Sequence, residues 1–370
     1  MNHRAKALVL LSGGLDSMLS ARILMEQGVE VTGITFISNF FGAAKARKAA
    51  EQLGIKLIEE DFSEEHLALV KNPKYGYGKN LNPCIDCHAL MLRRAGENLT
   101  PTPCPQCLRK RGRRVSLERR GGKEESFDFV ATGEVLGQRP MSQNKNSLST
   151  VAKYSGVGDR LVRPLSAQLL DETAPEKAGL IDRNKLLGIS GRSRKRQIEL
   201  AAHYGLKDYP SPAGGCLLTD PGYSNKLKEL FAAWPECSGG DTELIKHGRV
   251  FWLSSEINGF IEKNLLVIGR NQDDNQALQK LAKSGDIIVE LADEIGPTAL
   301  IRINNADLKI SDREFELIVP EVINYDRLKF GEAKTKEEII GLVATLTGYY
   351  AVKVRGKKVK VKVHNILKTN

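Results

Sequence analysis

Lys6-Ala7-Leu8-Val9-Leu10-Leu11-Ser12-Gly13-Gly14-Leu15-Asp16-Ser17 decides the fold. The apolar run Lys6–Leu11 reads as a buried strand. It turns through two glycines into a helical stretch from Leu15 to Gln27. Gly13 and Gly14 let the backbone approach an anion closely, and the amide groups and dipole at a helix start hold that anion. Ser12 and Ser17 add hydroxyl donors, and Asp16 beside a phosphate makes sense as a ligand for Mg²⁺. A lone Gly-Gly would read as an ordinary capped turn with an acidic first-turn residue. The full string in its strand–turn–helix setting favours phosphate binding. It is not a Walker A loop, because the lysine and the G-x-x-x-x-G-K-[ST] spacing are missing.

Outward from this turn, strand and helix alternate. Val29–Phe36 is a second β-rich run, Gly42–Leu53 is a helix ended by Gly54, and Ile55–Glu59 is a third strand. Two successive βαβ units predict an α/β, Rossmann-like parallel sheet with helices on both faces. Phe127–Thr132 reads as a later strand whose carboxyl end, Thr132-Gly133, should meet a ligand. A helix is expected near Arg194–Tyr204 and another at Asp220–Trp234. The composition turns small and polar at Pro235–Asp241, so a boundary is placed near residue 240. Residues 241–370 form a smaller α+β domain. In it, strands are expected at Arg249–Leu253, Leu265–Ile268, Asp286–Leu291 and Thr298–Ile303, and helices at Asp274–Ala282 and Glu337–Thr347. Tyr349–Val363 reads as two strands around Arg355-Gly356-Lys357.

The 370 residues are 41% hydrophobic and 27% charged, ordinary for a globular chain, with only 6% aromatic. The longest early apolar run is too short for a signal-peptide core or a membrane span, so a cytoplasmic protein with no membrane partner is expected. The net charge of +10 points to an anionic partner, nucleic acid first. Half of that excess sits in residues 99–126, where eight Lys/Arg face three Glu among Pro101, Pro103, Pro105 and Gly121-Gly122. No apolar periodicity runs through this stretch, which reads as an inserted loop. Arg192-Ser193-Arg194-Lys195-Arg196 at a helix start opposes the helix dipole, and phosphate contact would explain it. Lys353–Lys362 alternates lysine and valine, a second basic face or a solvated edge strand.

The six cysteines are Cys84, Cys87, Cys104, Cys107, Cys216 and Cys237. Cys84-Ile85-Asp86-Cys87-His88 precedes the helical stretch Ala89–Asn98, and Cys216 ends the turn-rich Pro210–Gly215. Two thiolates two residues apart and a third from a distant loop suit three-point ligation of an iron–sulfur cluster with one iron open. They suit equally a buried pair plus a stray thiol, or a zinc site with His88 as fourth ligand. Cys104 and Cys107 lie in the basic insert and read as part of a loop without a required metal. Cys237 reads as a plain residue.

Ser12–Ser17 matches the Ser-Gly-Gly-x-Asp-Ser signature, and the chain thereby resembles the PP-loop ATP pyrophosphatase superfamily. That resemblance implies the adenine nucleotide alpha hydrolase type of fold. It also implies ATP with Mg²⁺, cleavage between the α and β phosphates, adenine contacts around Thr35 and Phe36, and closure of the nucleotide site by Thr132 and Gly133. Cys84, Cys87 and Cys216 together with Gly133-Glu134-Val135-Leu136-Gly137-Gln138-Arg139 and Arg163-Pro164-Leu165 resemble the 4-thiouridine synthetases among tRNA thiolation enzymes. This second likeness spans roughly residues 6–220. It implies that a tRNA uridine carbonyl is adenylated and its oxygen replaced by sulfur from sulfide or a persulfide carrier protein. It further implies a 4Fe–4S cluster on Cys84, Cys87 and Cys216, and it allows a homodimer. The basic insert departs from the family pattern. Gly269-Arg270-Asn271, Asn275 and Leu281-Ala282 resemble the NFACT-R domain, which implies an RNA-gripping C-terminal module. Two other outcomes stay open: a PP-loop enzyme that adenylates a small molecule, and an RNA-binding factor that only senses ATP.

Overall fold

The computed structural model describes residues 4–100, 126–211, 216–257, 260–303, 311–323, 332–333 and 335–366. Cys104, Cys107 and nearly all of the basic insert fall outside them. The chain divides into two compact units, Met1–Pro221 and Gly222–Asn370.

In the first unit β1 (Lys6–Leu10) leads into α1 (Leu15–Glu26), β2 (Glu30–Ile37), α2 (Ala44–Leu53), β3 (Lys56–Asp61), α3 (Ser63–Lys71) and α4 (Cys84–Gly96). Beyond the insert come β4 (Phe129–Ala131), α5 (Lys145–Ser155), β5 (Leu161–Val162), α6 (Ala174–Lys177) and α7 (Lys195–His203). The sheet runs β3-β2-β1-β4-β5 with every pair parallel. It is the expected Rossmann-like layer. Strand β1 is apolar on both faces because both are covered. Ala7 and Val9 pack with α1, α2 and α7, while Leu8 packs with Phe36, Phe62 and α4. Fully burying a leucine such as Leu8 contributes about 2 kcal/mol. Strand order reverses at β1, which pairs β2 on one side and β4 on the other. Such a switch point opens a crevice at the strands' carboxyl ends, and Ser12–Ser17 and Thr132-Gly133 are the residues that follow β1 and β4.

The insert leaves and rejoins the unit at one place. Thr100 donates its backbone N–H and its hydroxyl to the Phe127 carbonyl at 2.8 and 2.7 Å. The Phe127 N–H returns a bond to Asn98 at 3.1 Å.

The second unit begins with α8 (Pro221–Ala233), eighteen residues ahead of the boundary expected from composition. The reason is packing. Tyr223 donates to the Thr242 carbonyl at 3.0 Å, Lys226 to the Ile245 carbonyl at 3.2 Å, and Trp234 Nε1 to Lys263 O at 2.9 Å. The stretch read as a linker contains a short helix, α9 (Gly239–Leu244). Ser238 and Asp241 close it with a capping box, the Ser238 N–H and hydroxyl each reaching Asp241 Oδ2 at 2.7 Å. Then follow β6 (Arg249–Ile257), β7 (Phe260–Ile268), α10 (Gln272–Leu281), β8 (Ile287–Leu291), β9 (Ala299–Arg302), β10 (Arg313–Ile318), β11 (Glu332–Ala333), α11 (Lys336–Tyr350) and β12 (Lys358–Asn365). They form a sheet ordered β10-β12-β8-β9-β7-β6-β11, antiparallel except at β6–β11. The two strands expected over Tyr349–Val363 are corrected: α11 runs on to Tyr350, a short 3₁₀ turn takes Val352–Val354, and only β12 is strand. Val354 is buried, which holds that turn against the core.

Candidate functional site

The Gly-rich turn is built as its sequence requires. Gly13 has φ +77°, and a Cβ there would fall 2.4 Å from the Lys45 backbone. Gly14 caps α1, whose 12 residues carry Asp16 in the first turn. The Ser17 hydroxyl donates to Gly14 O at 2.8 Å, and the Ser12 and Ser17 hydroxyl oxygens lie 3.4 Å apart. Gly133 is the close-packed wall behind this turn: a Cβ at that position would sit 2.5 Å from Asp16 C and Ser17 N. Thr132 is buried, and its carbonyl accepts from Ser20 of α1 at 3.2 Å.

Asp16 is held from residues that charge and composition had not marked as catalytic. Gln138 donates to Asp16 Oδ2 at 2.7 Å, and Gln197, fully buried, donates to Gln138 Oε1 at 3.0 Å. Asp16 Oδ1 is buried without a hydrogen bond. Its nearest cation is Arg194, at 3.8 Å. The donor type fits Mg²⁺: one carboxylate oxygen is fixed by an amide and the other is buried without a hydrogen bond. The basic cluster at the start of α7 is therefore not a uniform solvated face. Arg194 turns inward, while Arg196 stays exposed and meets Glu199 at 3.4 Å.

Thr35 and Phe36, expected at the adenine, lie inside β2. Thr35 is buried, and the Phe36 ring packs on Phe62 at 5.2 Å within an aromatic group that includes Phe40, Phe41 and His66. The Phe36 side chain belongs to the core.

Cys84 and Cys87 sit in the first turn of α4, and Cys216 precedes the 3₁₀ turn Leu217–Thr219. Burial pushes the Cys84 thiol up, opposed by the nearby Arg139 guanidinium. Burial pushes Cys87 well above the usual thiol value, with repulsion from Cys216 and Cys84 adding to it. Cys216 is pushed up to about 11 by burial, and Cys84 contributes. The three thiols are thus near enough to feel each other's charge. Among the described residues no group of three or more His, Cys, Asp or Glu is set to hold a metal ion as the side chains stand. Three cysteine sulfurs are the donor type that an iron–sulfur cluster takes.

Glu134 ties the thiols to the turn. Its carboxylate receives His88 Nδ1 at 3.0 Å, Arg163 Nε at 2.8 Å and the Thr132 hydroxyl at 3.1 Å. Burial alone would raise its pKa, but Arg163 and His88 hold it down at about 2. His88 follows Cys87 in α4, and Glu134 follows Gly133. The segment 133–139 therefore reaches Asp16 through Gly133 and Gln138, and the thiols' helix through the Glu134–His88 bond. Sequence reading had quoted Gly133–Arg139 only as a likeness. A carboxylate and a glutamine four residues apart, in a chain that also carries a Cys-x-x-Cys-His, were the available signal.

In the second unit the lysines of β12 are partnered. Lys358 meets Glu316 at 2.5 Å and Lys360 meets Glu314 at 2.6 Å, both across the β10–β12 ladder. Two lysines of the alternating stretch are thus paired with glutamates of β10. Among the described residues no helix is long and apolar enough to cross a membrane.

Residues 3–86 match the family described as thiamine biosynthesis protein (ThiI). The tRNA-specific 2-thiouridylase MnmA of Treponema denticola is 36% identical over 97 residues, 23% of this chain and 26% of that protein. MnmA of Roseiflexus sp. (strain RS-1) is 27% identical over 232 residues, 61% of either chain. The chain thus spans between about a quarter and three fifths of the length of these relatives. Among solved structures, a 4-thiouridine synthetase–RNA complex with bound ATP is similar at 18% identity and TM-score 0.33, covering 65% of this chain and 53% of that one. A predicted subunit of tRNA methyltransferase from Methanocaldococcus jannaschii is similar at 17% identity and TM-score 0.34, covering 61% of this chain and 87% of that one.

Proposed function

We propose that this chain, whose first unit resembles the PP-loop tRNA thiouridine synthetases, is an ATP-dependent tRNA sulfurtransferase. One observation carries the reading: segment 133–139 joins the Gly-rich turn to the thiols, so a phosphate cradle and sulfur chemistry share one frame. The turn Ser12–Ser17 binds the phosphates of ATP, Asp16 would hold Mg²⁺ against them, and Arg194 adds positive charge at the same carboxylate. The uridine carbonyl oxygen attacks the α-phosphate and pyrophosphate leaves. The oxygen then departs with AMP when sulfur adds to the activated carbon. The protein supplies position and charge neutralisation more than covalent chemistry.

Cys84, Cys87 and Cys216 are the sulfur-handling residues. The thiolate rather than the thiol is the ligand or nucleophile, yet burial and mutual repulsion favour the thiol at neutral pH. Either a cluster held by the three cysteines or a persulfide on one of them would carry the sulfur. When bound, a 4Fe–4S cluster supplies an iron position that no cysteine fills. The second unit acts as the tRNA-docking module.

The test is nucleoside analysis of tRNA after anaerobic reaction with Mg²⁺, ATP and sulfide. Thiouridine is expected, lost in Asp16→Asn and in each of Cys84→Ala, Cys87→Ala and Cys216→Ala. Pyrophosphate release without thiouridine, or thiolation intact in the triple cysteine variant, overturns the reading.

A further inference from the structure

Gln197 is a glutamine where an apolar residue would serve the core better. It is fully buried in α7, the helix whose Ala201 packs in one core with α1 and β1. Burying an amide costs free energy unless both its ends are hydrogen-bonded. Among the described residues the Gln197 side chain makes one hydrogen bond, from Nε2 to Gln138 Oε1 at 3.0 Å, while its own Oε1 has none. A side chain kept at such a cost points to a use beyond packing.

The direction of this chain of bonds is set at its far end. A carboxylate oxygen only accepts from an amide, so Gln138 turns its NH₂ to Asp16 Oδ2, at 2.7 Å. That leaves Gln138 Oε1 facing α7, where a donor is needed, and Gln197 supplies it. The three residues come from separate parts of the chain, 122 and 59 positions apart. Gln138 is itself held by a turn, its N–H donating to Val135 O at 3.2 Å. Arg194, one turn before Gln197, stands 3.8 Å from Asp16 Oδ1. A carboxylate and a guanidinium pair best through two parallel bonds, so an unrestrained Asp16 would rotate both oxygens toward Arg194. Gln138 holds Oδ2 out of that pairing.

We infer that Gln138 and Gln197 are positioning residues, an amide relay from α7 that keeps the Asp16 carboxylate turned as a divalent cation needs it. Gln138 acts on Asp16 directly. Gln197 acts through Gln138, by fixing which way its amide faces. Partners of this kind orient a metal ligand without touching the metal. The inference rests on the reading of Ser12–Ser17 and Asp16 as an ATP–Mg²⁺ site, and sulfur transfer plays no part in it.

The test is Mn²⁺ titrated into the full chain with α,β-methylene-ATP present, free Mn²⁺ being read by electron paramagnetic resonance. Gln138→Met is expected to weaken Mn²⁺ binding about 10- to 100-fold, and Gln197→Met to weaken it by a smaller factor. The double variant should bind Mn²⁺ as Gln138→Met alone does, because without Gln138 there is nothing left for Gln197 to hold. A packing role for Gln197 predicts instead that the two losses multiply. The Mg²⁺ concentration for half-maximal ATP–pyrophosphate exchange should rise by the same factors, with most of the rate recovered at saturating Mg²⁺. Urea unfolding of each variant separates loss of fold from loss of metal, and Gln138→Met, at a half-buried position, reports even where Gln197→Met does not fold. Unchanged Mn²⁺ binding in Gln138→Met, or multiplied losses in the double variant, overturns the relay. Nucleoside analysis of tRNA is run alongside. Thiouridine formed by variants whose metal binding is unchanged rejects only the relay, and the expected metal losses in a chain that makes no thiouridine reject only the sulfurtransferase.

Discussion

Gly133→Ala tests the site with a single methyl group. The glycine touches the turn through backbone only: its added Cβ would lie 2.5 Å from Asp16 C and Ser17 N. Ordinary contact begins near 3.4 Å, so the start of α1 must retreat by about 0.9 Å. Neither neighbour is a flexible side-chain tip, and the far side of the turn is closed by Lys45, 2.4 Å from where a Gly13 Cβ would be. A displacement near 1 Å at the residues that hold the phosphates costs about 100-fold in rate, or close to 3 kcal/mol of barrier. ATP–pyrophosphate exchange and binding of ATP by calorimetry read it directly. The expected result is exchange reduced about 100-fold in a protein that still folds, with Gly133→Ser worse than Gly133→Ala. Exchange within twofold of the unaltered chain would refute the placement of Gly133 behind the turn and, with it, the geometry assigned to Asp16.

Two further perturbations probe the frame. His66 is fully buried among Phe40, Phe41 and Phe62, neither ring nitrogen has a hydrogen bond, and burial lowers its pKa to about 4. An unfolded histidine titrates near 6.5, so the unfolded chain takes the proton first. The stability of the neutral form is complete above pH about 6.5 and is lost toward pH 4, by about 3 kcal/mol in all. Urea unfolding of His66→Phe should show that much less acid sensitivity than the unaltered chain, and equal sensitivity would contradict a buried neutral imidazole. Arg163→Met removes the main cation from a Glu134 carboxylate that is 5% exposed. A loss of about 3–5 kcal/mol is expected, largely restored in the double variant with Glu134→Leu. A loss below about 1 kcal/mol would deny the pair its role in joining α4 to the turn.

The first unit was legible because its signals are local. A doubly covered parallel strand must be apolar on both faces, and a glycine turn into an acidic first helical turn has few other uses. Two βαβ repeats predicted a parallel sheet, while the strand order came from the structure. What sequence could not show is what depends on tertiary approach. Glu134 looks like any loop carboxylate until Arg163 and His88 arrive from far along the chain. Arg194 and Arg196 are identical in composition, yet one turns toward Asp16 and the other to solvent. The same limit applies to Lys353–Lys362: alternation gives the face of a strand, but the glutamates that pair with Lys358 and Lys360 lie on β10. The Ser238-Gly239-Gly240 stretch has a linker's composition and a helix start's chemistry, and the capping box decided between them.

The clasp at Thr100 and Phe127 has a consequence for how this chain can change. Hydrogen bonds at Thr100 and Phe127 already bring the chain together, so a change in the length of chain between them changes a loop-closure entropy. That entropy grows with the logarithm of length: stretching a tight turn of a few residues to a segment the size of this insert costs about 1–2 kcal/mol. Sequence can be gained, exchanged or erased between these two residues with the parallel sheet left standing.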